Sequence, residues 1–431
     1  MSYEYILDIA LILLSTKILG LLTKKIHLPQ VVGALLAGLL LGPAVLNVLQ
    51  GTEFLTQVAE LGVIIIMFTA GMGTNLEELK QTGKAGFVVA MCGVLVPLAM
   101  GAGLAYFFNP GGEGNAWLQN LFIGVILTAT SVSITVETLK ELGRLSTKVG
   151  NTILAAALID DVLGLIALTI VTSLAGADVN MWMVLLKIVG FFVFAGVVGV
   201  VACRLLTWYE NSLKGKDLHR FPIAGFVLCL IMAYCAEHFF GVADIIGAFA
   251  AGLVVANTPK AKYVESKFAP LSYLLLSPIF FASIGIKVEL PSMTASVLVF
   301  ALLLVMVAIV SKLIGCGLGA KFCGLKTHQC IQIGCGMACR GEVALIVANK
   351  GLSMGLLPTA FFGPVIIMVV CAAILTPVML KVAFKSAEKR GKQQELQQSA
   401  LLDSYQQMEQ LDLVEQNLLA AEKSLKEKRK K

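Results

Sequence analysis

NTILAAALIDDVLGLIALTIVTSLA, residues 151–175, is apolar over a length that crosses a hydrocarbon core of roughly 30 Å as a helix, yet it holds Asp160 and Asp161 at its middle. An ionisable side chain at membrane depth is expensive unless paired or hydrated, so it marks a functional site by default. Adjacent residues on a helix point about 100° apart. The two carboxylates therefore cannot share one face: one can meet a neighbouring helix while the other faces water.

The rest of the chain has the same character. Its 431 residues are 58% hydrophobic and only 14% charged, with mean hydropathy +0.86. That balance excludes a water-soluble enzyme. The absence of alternating ten-residue strands selects packed helices over a barrel, the two ways lipid lets a backbone satisfy itself. Thirteen spans are expected, at 5–22, 29–46, 55–70, 85–108, 117–139, 150–175, 181–205, 221–240, 243–256, 271–286, 295–320, 330–349 and 358–384. The first has no small-residue cleavage site and reads as a retained helix, not a signal peptide. The fold class is thus an all-α polytopic membrane protein.

Basic residues orient it. The odd connections carry Lys24, Lys25, Lys80, Lys84, Lys140, Arg144, Lys148, Arg204, Lys214, Lys216, Arg220, Lys260, Lys262, Lys267, Lys321 and Lys326, against only Lys287 and Lys350 in the even ones. Lys and Arg stay on the cytoplasmic side, so the N-terminus is expected outside and the C-terminus in the cytoplasm of a cell-membrane protein. The net charge of +6 is this topology signal; it gives no reason to expect nucleic acid. The tail, 386–431, is charged, Gln-rich and patterned as a cytoplasmic helix that could meet a partner protein. It lacks a Gly-rich dinucleotide fingerprint.

Further charges fall inside spans: Lys312 in the eleventh, and Arg340 with Glu342 in the twelfth. Lys17, Glu60, Lys187, Glu237, His238 and Asp244 form a second rank. Lys312 at similar depth can lower the cost of one aspartate but not of both. Carboxylate oxygens suit a hard cation. The ten Cys and four His show no transition-metal spacing, and the Cys read as reduced packing residues.

Two segments are weak as helix: the polar run 128–135 and the Gly-rich run 334–341. Each lies second from the end of a six-span half if spans 1–6 and 8–13 are repeats linked by span 7, which inverts the second half. Interrupted helices at matching positions point to a transporter's site.

At these residues the chain resembles the monovalent cation:proton antiporter superfamily, in the branch of the bacterial sodium/proton and potassium-efflux antiporters. The resemblance spans about 5–385. It rests on LTATSVSIT at 127–135, IDD at 159–161, GAFAAGLVVAN at 247–257, SPIFFASIG at 277–285, Lys312, and GMACRGEVALIVA at 336–348. It implies thirteen helices in two inverted repeats with crossed discontinuous helices, and a homodimer. Core helices at about 85–175 and 295–385 would move past dimerisation helices at about 5–74 and 181–286. It implies Asp161 as the cation and proton carboxylate, Asp160 as its partner paired to Lys312, Thr130 and Ser131 near the unwound segments, and Arg340 with Glu342 as a structural or modulating charged pair. The function implied is exchange of Na+ or K+ for protons, in pH homeostasis, with no cofactor beyond the transported ions. Asp244 departs from the family's usual small residue and reads as a span-end aspartate. The lack of a nucleotide-binding domain argues against glutathione-type gating.

Two other classes compete. An intramembrane aspartyl protease needs carboxylates brought together from separate helices; here the pair is adjacent, and GVAD at 241–244 only loosely imitates a second motif. A non-transporting sensor could use the same scaffold.

Overall fold

The computed structural model describes residues 3–25, 28–109, 116–175, 180–212, 220–288 and 295–389, and these are helical almost throughout. In chain order the helices are α1 (Glu4–Lys25), α2 (Gln30–Leu41), α3 (Glu53–Met72), α4 (Leu76–Phe108), α5 (Ala116–Thr128), α6 (Val132–Glu141), α7 (Lys148–Leu174) and α8 (Met181–Ser212). They continue as α9 (Arg220–His238), α10 (Asp244–Ala256), α11 (Ala261–Leu271), α12 (Ser277–Ile286), α13 (Ala295–Phe322), α14 (Thr327–Met337), α15 (Glu342–Ser353) and α16 (Thr359–Lys389). A π-helical turn, Ser272–Leu276, joins α11 to α12 just after Pro270. The expected tail helix beyond residue 389, and Lys214 and Lys216, lie outside the described residues.

Among the described residues, ten helical stretches are long and apolar enough to cross a membrane, and an eleventh if the bent pair α14 and α15 is taken as one. The chain is a multi-pass helical membrane protein. The expected count of thirteen goes further than this. The expected spans 29–46 and 243–256 are α2 and α10, apolar helices of 12 and 13 residues. At 1.5 Å per residue they fall short of a roughly 30 Å core. The end of α2 has a local cause: a residue before proline is driven out of the helical region, and Gly42, before Pro43, is extended. Other expected boundaries move outward. Asn75 caps α4 by accepting from the Glu77 N–H at 2.9 Å, so that helix starts nine residues before its apolar run at Ala85.

Helix α4 packs against α5, α7 and α13, and α13 against α14 and α16. Gly315 and Gly319 of α13 let its backbone approach that of α4. A second packed group joins α3 to α10 and α12, α10 to α9, and α2 to α1 and α12. Helix α8 exposes Trp182, Leu186, Val193 and Val197. The last turn of α6 ties the two groups together. Both oxygens of Glu141 accept from the Gln30 N–H at 2.8 Å, at the start of α2, and the Lys140 ammonium donates to the Thr69 hydroxyl at 2.8 Å, on α3.

Candidate ion-binding site

The two weak segments are real breaks, narrower than their sequence runs. Helices α5 and α6 are interrupted at 129–131, and α14 and α15 at 338–341 with a 51° bend. The breaks touch. The Ser131 N–H donates to the Cys339 carbonyl at 3.0 Å, and the Thr135 hydroxyl donates to the Gly336 carbonyl at 2.7 Å. Gly341 is required there, because a Cβ on it would lie 2.6 Å from the Ser131 Oγ.

Breaking a helix in the membrane leaves orphan carbonyls at one end and orphan N–H groups at the other. Arg340 answers the first. Fully buried, it donates to the Leu127 carbonyl at the end of α5 at 2.7 Å and to Cys339, Met337 and Ala338 carbonyls at the end of α14 at 3.1, 3.4 and 3.4 Å. A further contact reaches the Ala308 carbonyl of α13 at 3.3 Å. The two charges part here: Arg340 is spent on half-helix ends, and Glu342 points elsewhere, its Oε1 3.5 Å from the Ser133 hydroxyl.

Helix α7, capped by the Thr147 hydroxyl accepting from the Gly150 N–H at 3.1 Å, carries the aspartates past this crossing. Asp160, 2% exposed, takes Lys312 from α13 at 2.8 and 3.0 Å on its two oxygens, and its Oδ2 also accepts from the Thr130 hydroxyl at 2.7 Å. Lys312 is 0% exposed. A buried pair of this kind holds only if further hydrogen bonds satisfy it, which Thr130 does. Asp161 is different. Its Oδ2 is shielded from solvent and has no hydrogen-bond partner, and it lines a cavity of about 1140 Å³. That cavity extends from Asp160 and Asp161 to the connection between α2 and α3 at Asn47 and Gln50, and to the one between α9 and α10 at Gly241.

Sequence reasoning missed two members. Gly93 of α4 clears the space for the pair, since a Cβ there would lie 2.6 Å from Cys316 Sγ and 3.5 Å from Lys312 Nζ. Pro97, four residues on, has no N–H for the Gly93 carbonyl. Their sequence signal was weak: Gly93 is one of four glycines in the span 85–108, and Pro97 is its only proline. Of the second-rank charges, Glu60, Glu237 and Asp244 line the cavity with Lys287. Asp244 opens α10 and its Oδ1 accepts from the Ile245 N–H at 2.7 Å. Lys17 and Lys187 sit apart, exposed on α1 and α8, Lys17 over the Tyr273 ring; His238 stacks on Tyr234. Among the described residues no group of three or more His, Cys, Asp or Glu could hold a metal ion.

Two broken helices crossing beside a buried Asp–Lys pair and an unpaired aspartate define a polytopic membrane protein with a charged centre at its helix breaks. The chain belongs to the sodium/hydrogen exchanger family, whose transmembrane model matches residues 10–386. It is 40% identical over 398 residues to the Na(+)/H(+)-K(+) antiporter GerN of Bacillus cereus, covering 91% of this chain and 99% of that one. To the high-affinity Na(+)/H(+) antiporter NhaS3 of Synechocystis it is 31% identical over 431 residues, covering 89% and 90%. Its fold is like that of the sodium proton antiporter MjNhaP1 of Methanocaldococcus jannaschii, with TM-score 0.66 at 19% identity, over 90% of this chain and 97% of that chain.

Proposed function

We propose that this protein is a secondary antiporter that exchanges a monovalent cation for protons across the cell membrane, and that Asp161 is the carboxylate both ions use. One observation carries the reading: at the base of a wide cavity, Asp160 is committed to Lys312 and Thr130 while an Asp161 oxygen has no partner. A buried charge without a countercharge must be neutralised. A cation or a proton can do that, but not both at once, and this exclusion couples the two fluxes. Only the neutralised site crosses the barrier between the two sides, so alternating access follows.

Thr130 holds Asp160 in register with Lys312, Ser131 holds the crossing, and Arg340 neutralises the carbonyl ends so that the breaks persist without an ion. If the cation also parts Asp160 from Lys312, a second proton is released and charge movement becomes unequal. The relatives' names support Na+, with K+ as the alternative. The ions are substrates, and the reading needs no resident cofactor and no enzymatic step. Thirteen spans in inverted repeats, an external N-terminus, a homodimer, and motion of the α4–α7 and α13–α16 group past the others complete the proposal. The test is reconstitution in liposomes with an internal pH dye and an imposed proton gradient, adding Na+, K+ or Li+ in turn. Collapse of the gradient with a cation, lost in Asp161→Asn, is the expected result; no response to any cation from about pH 6 to 9 would move the scaffold to a sensor.

A further inference from the structure

One carboxylate at the base of the cavity has no part in the exchange just described. Glu342 is the first residue of α15 and lines the same cavity as Asp161. It is not held by Arg340, whose Nη1 and Nη2 donate to carbonyls. Its Oε1 lies 3.5 Å from the Ser133 hydroxyl, and its Oε2, like the Oδ2 of Asp161, is shielded from solvent with no hydrogen-bond partner. Two unpartnered carboxylate oxygens thus border one cavity, one on the continuous α7 and one at the start of α15.

The surroundings separate their roles. Ser133 is in the first turn of α6, and Glu342 begins α15; neither helix has a side-chain cap on its N-terminal N–H groups. A helix N-terminus carries roughly +0.5 of a charge, so the two ends together offset about one negative charge at Glu342. No helix end of that kind lies at Asp161, in the middle of α7. The other charged groups on the cavity are Asp160, already paired to Lys312, and Glu60, Glu237, Asp244 and Lys287. Glu342 therefore sits beside two helix N-termini, and Asp161 does not.

We infer that Glu342 is a second ion-binding carboxylate: it contributes an oxygen to the transported cation opposite Asp161 and sets cation affinity, leaving the proton to Asp161. This rests on the antiport reading above. Hard monovalent cations take several oxygen ligands, and a second anionic one strengthens binding without changing which group carries the proton.

The test is cation-dependent exchange in liposomes by the wild type, Glu342→Gln and Glu342→Asp, recording KM and maximal rate separately across pH, with thermal unfolding in detergent alongside. Glu342→Gln keeps the shape and removes the charge. Its cation KM should rise about tenfold, the scale of one charge-assisted contact, with maximal rate and melting temperature near wild type. Glu342→Asp should recover much of the affinity, and the pH dependence of KM should persist in both. An unchanged KM in Glu342→Gln overturns the inference. So does loss of all exchange in both variants while they remain folded, because Glu342 would then be indispensable rather than affinity-setting. A wild type without exchange defeats the antiport reading itself, which separates the two failures.

Discussion

Lys312 and Asp160 are buried together, and removing the lysine strands a carboxylate that only the Thr130 hydroxyl still contacts. Breaking a buried pair from one side costs about 3–5 kcal/mol. Lys312→Ala should therefore lower the melting temperature of the detergent-purified protein markedly, and adding Asp160→Asn should restore most of it by removing the stranded charge. A double variant as unstable as the single would mean that the lysine stem, not its charge, holds α13 to α7. Much of this pair was legible in the sequence. Two adjacent acids in an apolar run must diverge around a helix, and a lone intramembrane lysine needs a partner. What sequence could not show was the space. Gly93 admits Lys312 and Cys316 side by side through a contact between residues far apart in the chain. Nor could it show where Arg340 and Glu342 aim: adjacent charges suggested a pair, but the helix break between them sends one to carbonyl ends and the other to N-terminal ends.

The broken helices were the most legible elements, because runs of Thr and Ser or of Gly inside an apolar span weaken the ladder wherever they fall. Their mutual contact was not, since it depends on single bonds such as Ser131 to Cys339. Lengths were legible only where the apolar run and the helix coincide. Gly42 and Pro43 cut α2 short, and a cap at Asn75 extends α4 through polar residues. Away from the cavity mouth, at the other end of α2 from Pro43, Glu141 and Lys140 of α6 clip onto α2 and α3. Glu141→Ala removes the acceptor of the Gln30 N–H, so amide hydrogen exchange in the first turn of α2 should speed several-fold, while α4 is unaffected. Unchanged exchange there would show that backbone packing, not the carboxylate, docks α6.

At the scale of the whole molecule, the helices form two packed groups, and the cavity that Asp161 lines draws residues from both. Glu60, Glu237 and Asp244 converge on this cavity from α3, α9 and α10, a gathering invisible until the fold is known. The account's central claim is that a proton and a cation exclude one another at Asp161. It makes a quantitative demand on the reconstituted protein: the cation KM measured as a function of pH. If protons compete for the same carboxylate, KM rises about tenfold for each unit of falling pH once the site is protonated, then levels off at higher pH, with maximal rate preserved at saturating cation. A KM that stays constant across the range in which transport itself changes would place the two ions on separate groups and contradict the account.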